Sequence, residues 1–257
     1  MTPRRAPPTL VVDVGGTHVK LLATGKRTPI HIDSGPHLTP RVMVREVLAA
    51  TAHWRFRRVS LGFPGPVRKN RPQREPWNLG KGWVGFDFQR AFGCPVRVIN
   101  DAAMQALGSY EDGKMLFLGL GTGLGSAMIC DGTVLPLELA HLPYRHGESY
   151  EDYVGAAGRA KLGKRRWRKH VLDIIDLFVA ALIVDYVVLG GGNAEHVTNV
   201  PPNVRIGDNS NAFRGGFRLW DDERSRRGRS TRRSGDPTSA TAPLPHLGGP
   251  VSSARSR

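Results

Sequence analysis

Short apolar runs that end in glycine-rich turns dominate the pattern of hydrophobic and polar positions along this chain. Residues 9–14 (TLVVDV) form a β-branched run, and residues 19–23 form a second apolar run. The turn Gly15-Gly16-Thr17 separates them. This pattern predicts two strands joined by a tight turn.

The same pattern recurs in the second half of the chain. Residues 115–118 are apolar, residues 119–125 (GLGTGLG) form a predicted glycine-rich turn, and residues 126–130 are apolar again. An approximate repeat of a strand–turn–strand unit predicts two similar α/β domains that face each other across a cleft.

Between the two repeats, a predicted strand passes directly into a predicted helix. Residues 96–100 (VRVIN) have the composition of a buried strand, and the Ala-rich and Leu-rich residues 102–108 favour a helix. Asn100 and Asp101 therefore lie at the carboxyl end of a strand, where open α/β sheets place their ligands. A carboxylate at a helix N-terminus is a candidate general base. Helix capping, an ordinary role of Asn and Asp, is the alternative.

The remaining segments alternate between strands, helices and loops. The pattern predicts strands at 59–63 and 186–189, helices at 42–54, 86–92, 148–162 and 167–184, and loops at 31–40 and 68–83. The second loop is polar, basic and rich in Pro and Gly, which is typical of a surface loop near a site. A third glycine run, Gly190 to Gly192, follows the last strand.

Charge sets the C-terminal end apart from the rest of the chain. The 257 residues include 37 Lys and Arg against 22 Asp and Glu, a formal net charge of +15 that attracts polyanions. Basic clusters lie at 55–58, 68–74, 161–169 and 224–233, and each is either a binding surface or a solvated face. Residues 221–257 lack apolar periodicity, so we expect a disordered basic tail.

Several classes of protein are excluded by composition. Cys94 and Cys130 have no metal-ligand spacing, which excludes a disulfide scaffold and a cysteine-rich zinc site. Three Asp residues interrupt the longest apolar stretch, residues 171–189, which argues against a membrane span. Residues 1–8 lack the apolar core of a signal peptide. We therefore expect a soluble, cytoplasmic protein.

Each glycine turn ends a predicted strand, an arrangement that suits phosphate binding. Backbone N–H groups at a Gly-Gly-Thr turn can approach an anion closely, and the Thr17 hydroxyl adds a donor. Asp13 is a candidate Mg²⁺ ligand and Lys20 a candidate cation for the donor phosphates. A plain hairpin turn is the competing explanation of the first motif.

Six motifs occur in a fixed order between residues 10 and 219. They are DVGGTHVK (13–20), GFPGPV (62–67), the segment from Asn78-Leu79 to Asn100-Asp101, LGTG (120–123), ELAH (138–141) and LGGG (189–192). Together they resemble the ROK family of sugar kinases, and within it the glucokinase and polyphosphate glucokinase branch. The resemblance implies an actin-like (ribonuclease-H-like) α/β fold with a central cleft between two domains, 1–105 and 106–220, followed by the tail 221–257.

The resemblance also implies a reaction and a set of site residues. Asp101 matches the base that takes the proton from the 6-hydroxyl of a hexose, with glucose the expected sugar, ATP or polyphosphate the phosphoryl donor, and Mg²⁺ the cofactor. The implied sugar-binding residues are Asn100, Glu138, His141, Glu151 and Gly65. With Asp13 and Lys20, the implied phosphate-binding and nucleotide-binding residues are Gly15, Gly16, Thr17, Gly121, Thr122, Gly123, Gly191 and Gly192. A homodimer is the implied assembly.

Departures from the family pattern leave alternatives open. Residues 143–151 (PYRHGESYE) replace the zinc cluster of many relatives, so no zinc site is expected. His141 is then interpreted as a sugar contact, with a structural histidine in the cleft wall as the alternative, and Glu148 is an alternative to Glu151. The competing functions are a catalytically inactive sugar-binding protein and a polyanion or nucleic-acid binder. Nucleic acid is disfavoured because the tail lacks interleaved aromatic residues.

Overall fold

Two β-sheets with the same strand order form the framework of the protein. The computed structural model describes residues 6–208 and 210–221. The first half contains β1 (Thr9–Val14), β2 (His18–Ala23), β3 (Ile30–Asp33), β4 (Arg58–Phe63), a small hairpin of β5 (Val67–Arg68) and β6 (Arg71–Pro72), and β7 (Val96–Asn100). The first sheet has the order β3-β2-β1-β4-β7. In it β2 is antiparallel to β1 and β3, whereas β1, β4 and β7 are parallel.

The second sheet repeats this topology. Its half of the chain contains β8 (Lys114–Leu120), β9 (Leu124–Cys130), β10 (Thr133–Leu137), a hairpin of β11 (Pro143–Arg145) and β12 (Glu148–Ser149), β13 (Tyr186–Gly190) and β14 (Val204–Ile206). The order is β10-β9-β8-β13-β14, with β9 antiparallel to both neighbours and β8, β13 and β14 parallel. The predicted duplication of an α/β unit is therefore confirmed.

The helices cover the sheets and connect them. They are α1 (Pro40–Ala50), α2 (Phe88–Phe92), α3 (Asp101–Ser109), α4 (Tyr150–Val154), α5 (Ala156–Leu182) and α6 (Asn211–Arg218). Helix α3 contacts strands of both sheets, and α6 packs on α3, β1 and β4. All six residues of β1 are buried, as expected for a strand covered on both faces. The α3–α6 pair therefore links the two halves of the described chain.

The structure corrects two predicted boundaries. Residues 30–33, most of which fall in the predicted loop 31–40, form strand β3, because Ile30 and Ile32 pack against the hydrophobic core of the first sheet. The predicted turn 119–125 is shorter than expected, since Gly119 pairs with Gly125 and Leu120 with Leu124 across β8 and β9. Only Gly121, Thr122 and Gly123 form the turn.

Other segments differ in ways that the hydrophobic pattern did not indicate. The predicted loop 68–83 contains the β5–β6 hairpin and ends at Trp83, which is fully buried. The predicted helix at 148–162 begins at Tyr150 and is interrupted at Gly155, and α5 is kinked at Gly163, where φ is +74°. Strands β10 and β14 and helix α6 were not predicted. The domain boundary at 105 stays a prediction, and the predicted tail from residue 222 onward lies outside the described residues.

Glycines allow α3 and α6 to approach closely. A methyl group on Gly108 would overlap the Asn211 carbonyl, and one on Gly215 would overlap the Met104 carbonyl. Both obstacles are backbone, so they cannot move away as a flexible side chain would. The contact also buries Met104 against Ala212 and Phe213.

We expect Gly215→Ala to destabilise the protein by about 2–4 kcal/mol, because the added methyl group forces α6 away from α3. Arg214→Ala on the exposed side of the same helix is the control and should change stability far less. Urea unfolding of both variants measures the difference. Equal stability of the two variants would contradict the close approach.

Candidate active site

The junction between β7 and α3 holds two polar side chains in different roles. Asn100 is the N-cap of α3, and its Oδ1 accepts a hydrogen bond from Ala103 N at 3.0 Å. Its Nδ2 donates to the Gly65 carbonyl at 3.1 Å, so the same side chain fixes the loop after β4. Asp101 is the first residue of α3, and its Oδ1 accepts from Ala102 N at 2.8 Å. These contacts leave one N–H of the Asn100 amide for a ligand, and Asp101 can present its other oxygen to a ligand.

A cavity of about 580 Å³, here called the cleft cavity, opens at this junction. It is lined by residues of both halves of the chain. The predicted site residues among them are Gly16, Gly65, Asn100, Asp101, Gly121, Thr122, Gly123, Glu138, His141, Glu151 and Gly191. The structure thus brings together the predicted base, every predicted sugar-binding residue and all three predicted residues of the second phosphate loop, while the roles of these residues stay predictions.

The other predicted phosphate-binding residues do not line the cleft cavity. They are Asp13, Gly15, Thr17, Lys20 and Gly192. Thr17 and Gly192 are exposed, and Asp13 is buried directly behind the site in β1, opposite Lys20 of β2. Burial raises the pKa of Asp13 to about 6, and the Lys20 charge opposes that rise.

Asp101 has the most perturbed acidity of the site. Burial, the nearby Asp13 charge and, to a smaller extent, the Glu138 charge raise the pKa of Asp101 to about 7, although the hydrogen bond from Ala102 N lowers it. Two carboxyls that repel each other take up a proton more readily than either does alone. A carboxyl with this pKa can exchange a proton near neutral pH.

Asp13 and Asp101 also offer the oxygen donors that Mg²⁺ prefers. Within the described residues, no group of three His, Cys, Asp or Glu side chains is arranged to hold a metal ion. Because Mg²⁺ in phosphoryl-transfer sites is usually held by one or two carboxylates plus phosphate oxygens and water, these two residues fit that role.

Glu138 and His141 lie on the opposite wall, around a 3₁₀ turn at Leu139–His141. The Glu138 Oε2 and His141 Nε2 atoms are 3.8 Å apart. Burial raises the pKa of Glu138, and the charges of His141 and Arg74 oppose the rise. The His141 side chain is 65% exposed, so it is available to a ligand and is not packed into the cleft wall.

The structure distinguishes Glu151 from its alternative, Glu148. Glu151 Oε2 accepts a hydrogen bond from Leu124 N at 3.0 Å, and a methyl group on Gly123 would overlap the same carboxylate. Glu148 instead pairs with Lys161 at 2.9 Å and does not line the cleft cavity. Glu151 therefore connects α4 to the second glycine turn, inside the candidate site.

Comparison with known proteins agrees with this geometry. The ROK family matches residues 9–136, about half of the chain, which include both glycine turns and the β7–α3 junction. The chain belongs to the ROK family. It is 25% identical over 208 residues to a polyphosphate glucokinase of Mycobacterium tuberculosis, covering 70% of this chain and 76% of the relative. A polyphosphate glucokinase of Mycobacterium leprae is 26% identical over 198 residues, covering 70% and 58%.

Solved structures share the fold of this ROK protein at lower identity. The inorganic polyphosphate/ATP-glucomannokinase of Arthrobacter sp. aligns with a TM-score of 0.70 at 23% identity, covering 82% of this chain and 97% of that one. A ROK family glucokinase of Streptomyces griseus, in complex with glucose and AMPPNP, aligns with a TM-score of 0.64 at 15% identity, covering 82% and 98%. The actin-like sugar-kinase fold is thereby confirmed.

Two residues that the motifs did not identify clamp the glycine loops of the ROK protein together. Asn193 N donates to Leu120 O at 2.9 Å, and Asn193 Nδ2 donates to Gly121 O at 3.1 Å. Arg159 Nη1 donates to Asn193 Oδ1 at 2.6 Å. No sequence signal indicated these contacts, because they join segments far apart in the chain.

Aromatic side chains pack together at the β11–β12 hairpin of the ROK protein. Tyr144 of the β11–β12 hairpin contacts the rings of Tyr150, Tyr153 and His170, and its hydroxyl lies 3.2 Å from His170 Nδ1. These contacts hold the hairpin against α4 and α5. Among the described helices, none combines the length and apolar character needed to cross a membrane.

The raised pKa of Asp101 predicts a pH-dependent change in stability. Between pH 3.8, the ordinary pKa of an Asp carboxyl, and a pH of about 7, Asp101 holds a proton in the folded protein that it has lost in the unfolded chain. The free energy of unfolding therefore falls as the pH rises through this range, and the full destabilisation is reached above it. Asp101→Asn removes the cost and keeps the acceptor for Ala102 N. We therefore expect this variant to be more stable than wild type at pH 8 by about 1–3 kcal/mol, with a smaller difference at pH 5.

Urea unfolding at both pH values measures this effect, and Asp176→Asn on the exposed face of α5 is the matched control. A stability difference for Asp101→Asn that is the same at pH 5 and pH 8 would show that burial does not perturb this carboxyl.

Proposed function

We propose that this ROK protein is a hexose kinase that transfers a phosphoryl group from ATP or polyphosphate to the 6-hydroxyl of a hexose, with glucose as the expected substrate. The observation that carries the proposal is the Asp101 carboxyl, whose pKa is raised to about 7 and which lines a cavity. The same cavity is lined by glycine turns and by side chains, such as Glu138 and His141, that can hydrogen-bond sugar hydroxyls.

The acceptor end of the reaction is assigned to Asn100, Asp101, Glu138, His141 and Glu151. Amide, carboxylate and imidazole groups hydrogen-bond several hydroxyls at once and thereby fix the orientation of a sugar. The free oxygen of Asp101 takes the proton of the 6-hydroxyl while the oxygen of this hydroxyl attacks the terminal phosphorus of the donor. The bond from this phosphorus to the bridging oxygen breaks, and the shortened donor leaves with the electron pair.

The donor end is assigned to the glycine turns and to Asp13. The turn Gly121-Thr122-Gly123 is open at Gly121, where a methyl group would meet nothing within 4 Å, so a donor phosphate can approach its backbone there. Asp13 would hold Mg²⁺ together with the donor oxygens, and the bound ion supplies neutralisation of phosphate charge. Phosphoryl transfer needs positioning and charge neutralisation more than covalent chemistry, so this set is sufficient.

The choice of donor is supported from two sides. The similar mycobacterial proteins are named polyphosphate glucokinases, which favours polyphosphate. On α5, Lys161 and Lys169 are paired with Glu148 and Asp173, whereas Lys164, Arg165 and Arg166 are exposed and available to a long polyanion. Such attraction acts at a distance and weakens with salt.

We expect purified protein to phosphorylate glucose with at least one of the two donors, and Asp101→Asn to lower kcat by about two or more orders of magnitude, the usual contribution of a general base. A coupled assay with a panel of hexoses and both donors measures this. Asp176→Asn should retain wild-type kcat.

Failure of every hexose with both donors would contradict the kinase proposal and favour a non-catalytic sugar-binding role. If Asp101→Asn keeps its kinase activity, the proposed reaction stands but Asp101 is not its general base. Homodimerisation and a cytoplasmic location stay predictions.

A further inference from the structure

Residues 75–84 form a loop, of which residues 76–79 line the cleft cavity. The Glu75 carboxylate closes this loop, accepting hydrogen bonds from Gly82 N at 2.9 Å, Trp83 N at 3.1 Å and Val84 N at 3.2 Å. One side chain thus satisfies three consecutive backbone donors across the base of the loop, which restricts its motion without covering its tip.

The C-terminal end of the loop is anchored in the hydrophobic core of the first sheet. Trp83 is fully buried, its ring lies 5.4 Å from Phe63 and 6.1 Å from Phe88, and its Nε1 donates to Gly80 O at 2.7 Å. Gly80 N in turn donates to Leu38 O at 3.2 Å. The loop tip between Glu75 and Gly80 is therefore held in place by the framework.

This tip carries an exposed tryptophan that none of the functions above uses. Trp77 lines the cleft cavity, and its side chain is 98% exposed. An indole in water is costly, and large exposed aromatic groups on a fixed scaffold are typical of ligand-binding positions. Its neighbours Pro76, Asn78 and Leu79 line the same cavity, so the exposed ring borders the site itself.

The loop and the proposed sugar-binding residues line the same cavity, which is bordered by Trp77, Glu138 and His141. The Arg74 charge, three residues before Trp77, acts on Glu138 and lowers its pKa against the effect of burial. Glu138 is one of the residues that the proposed function assigns to the sugar hydroxyls. The Trp77 ring therefore borders the same cavity as the residues assigned to the sugar.

We propose that Trp77 is a specificity-determining residue whose indole stacks on the apolar C–H face of the hexose ring. This inference rests on the proposed function. In the β anomer of glucose every ring hydroxyl is equatorial, so both faces of the pyranose present only axial C–H groups to an aromatic ring. Mannose and galactose carry an axial hydroxyl on one face, at C2 and C4, and allose carries one on the opposite face, at C3. An aromatic platform therefore selects against whichever epimers place a hydroxyl on the stacked face.

The experiment compares wild type, Trp77→Ala, Trp77→Phe and Val84→Ala, all as full-length protein. Val84 is the matched control because it is an exposed apolar residue at the base of the same loop and does not line the cleft cavity. For each protein, kcat and KM are measured for glucose, mannose, galactose and allose and for each donor. Glucose binding is measured by calorimetry.

We expect Trp77→Ala to raise KM and Kd for glucose by about tenfold, with kcat changed less than about twofold. The preference for glucose over mannose and galactose, or over allose, should fall with it. Trp77→Phe keeps an aromatic face and should lie close to wild type. Val84→Ala should match wild type, and no variant should change KM for the donor.

Three outcomes would overturn the inference. Unchanged glucose KM in Trp77→Ala, with an active wild type, would remove Trp77 from the sugar site while the proposed function stands. A rise in donor KM alone would place the indole against the nucleotide base. Absence of both glucose binding and hexose phosphorylation in wild type would overturn the proposed function and this inference together.

Discussion

The packing of α3 against both sheets is the constraint on which the site depends. The helix begins at Asp101, so the position of the proposed base follows from how closely α3 can approach α6 and the strands beneath it. Backbone-to-backbone contact at Gly108 and Gly215 sets that distance, and the Asn100 cap fixes the first turn of the helix against the loop at Gly65. A catalytic group on such a rigid element needs little reorganisation when substrate binds.

The same packing places two carboxyls where they disfavour each other's charge. Asp13 lies in the buried strand β1, and burial raises the pKa values of both carboxyls, while the Asp13 charge raises the pKa of Asp101 further. Burying two neighbouring carboxyls destabilises the folded protein, and such destabilisation is typical of groups that act in binding or catalysis. A base poised near neutral pH and a pair of oxygens for a divalent cation are two tasks that this arrangement serves.

The sequence predicted those parts of the fold that depend on local pattern. The strand–turn–strand repeat and the β7–α3 junction followed from β-branched runs and glycine positions. The motifs and the resemblance to the ROK family named about half of the residues that line the cleft cavity. Helix α6 was missed because Gly215 and Gly216 weaken a helical pattern, and only their close contact with α3 and Val11 explains them. Asn193, Arg159 and Trp77 were missed because their positions depend on contacts between distant segments or on a loop whose anchor, Trp83, is visible only in three dimensions.

The pH dependence of kcat/KM for glucose phosphorylation tests the central claim most directly, because it reports the protonation of the free enzyme at the site. With Asp101 as a base whose pKa burial and Asp13 raise to about 7, log kcat/KM should rise with a slope of one as pH increases toward 7 and then level off. A profile that is flat from pH 5 to pH 8 would contradict the account.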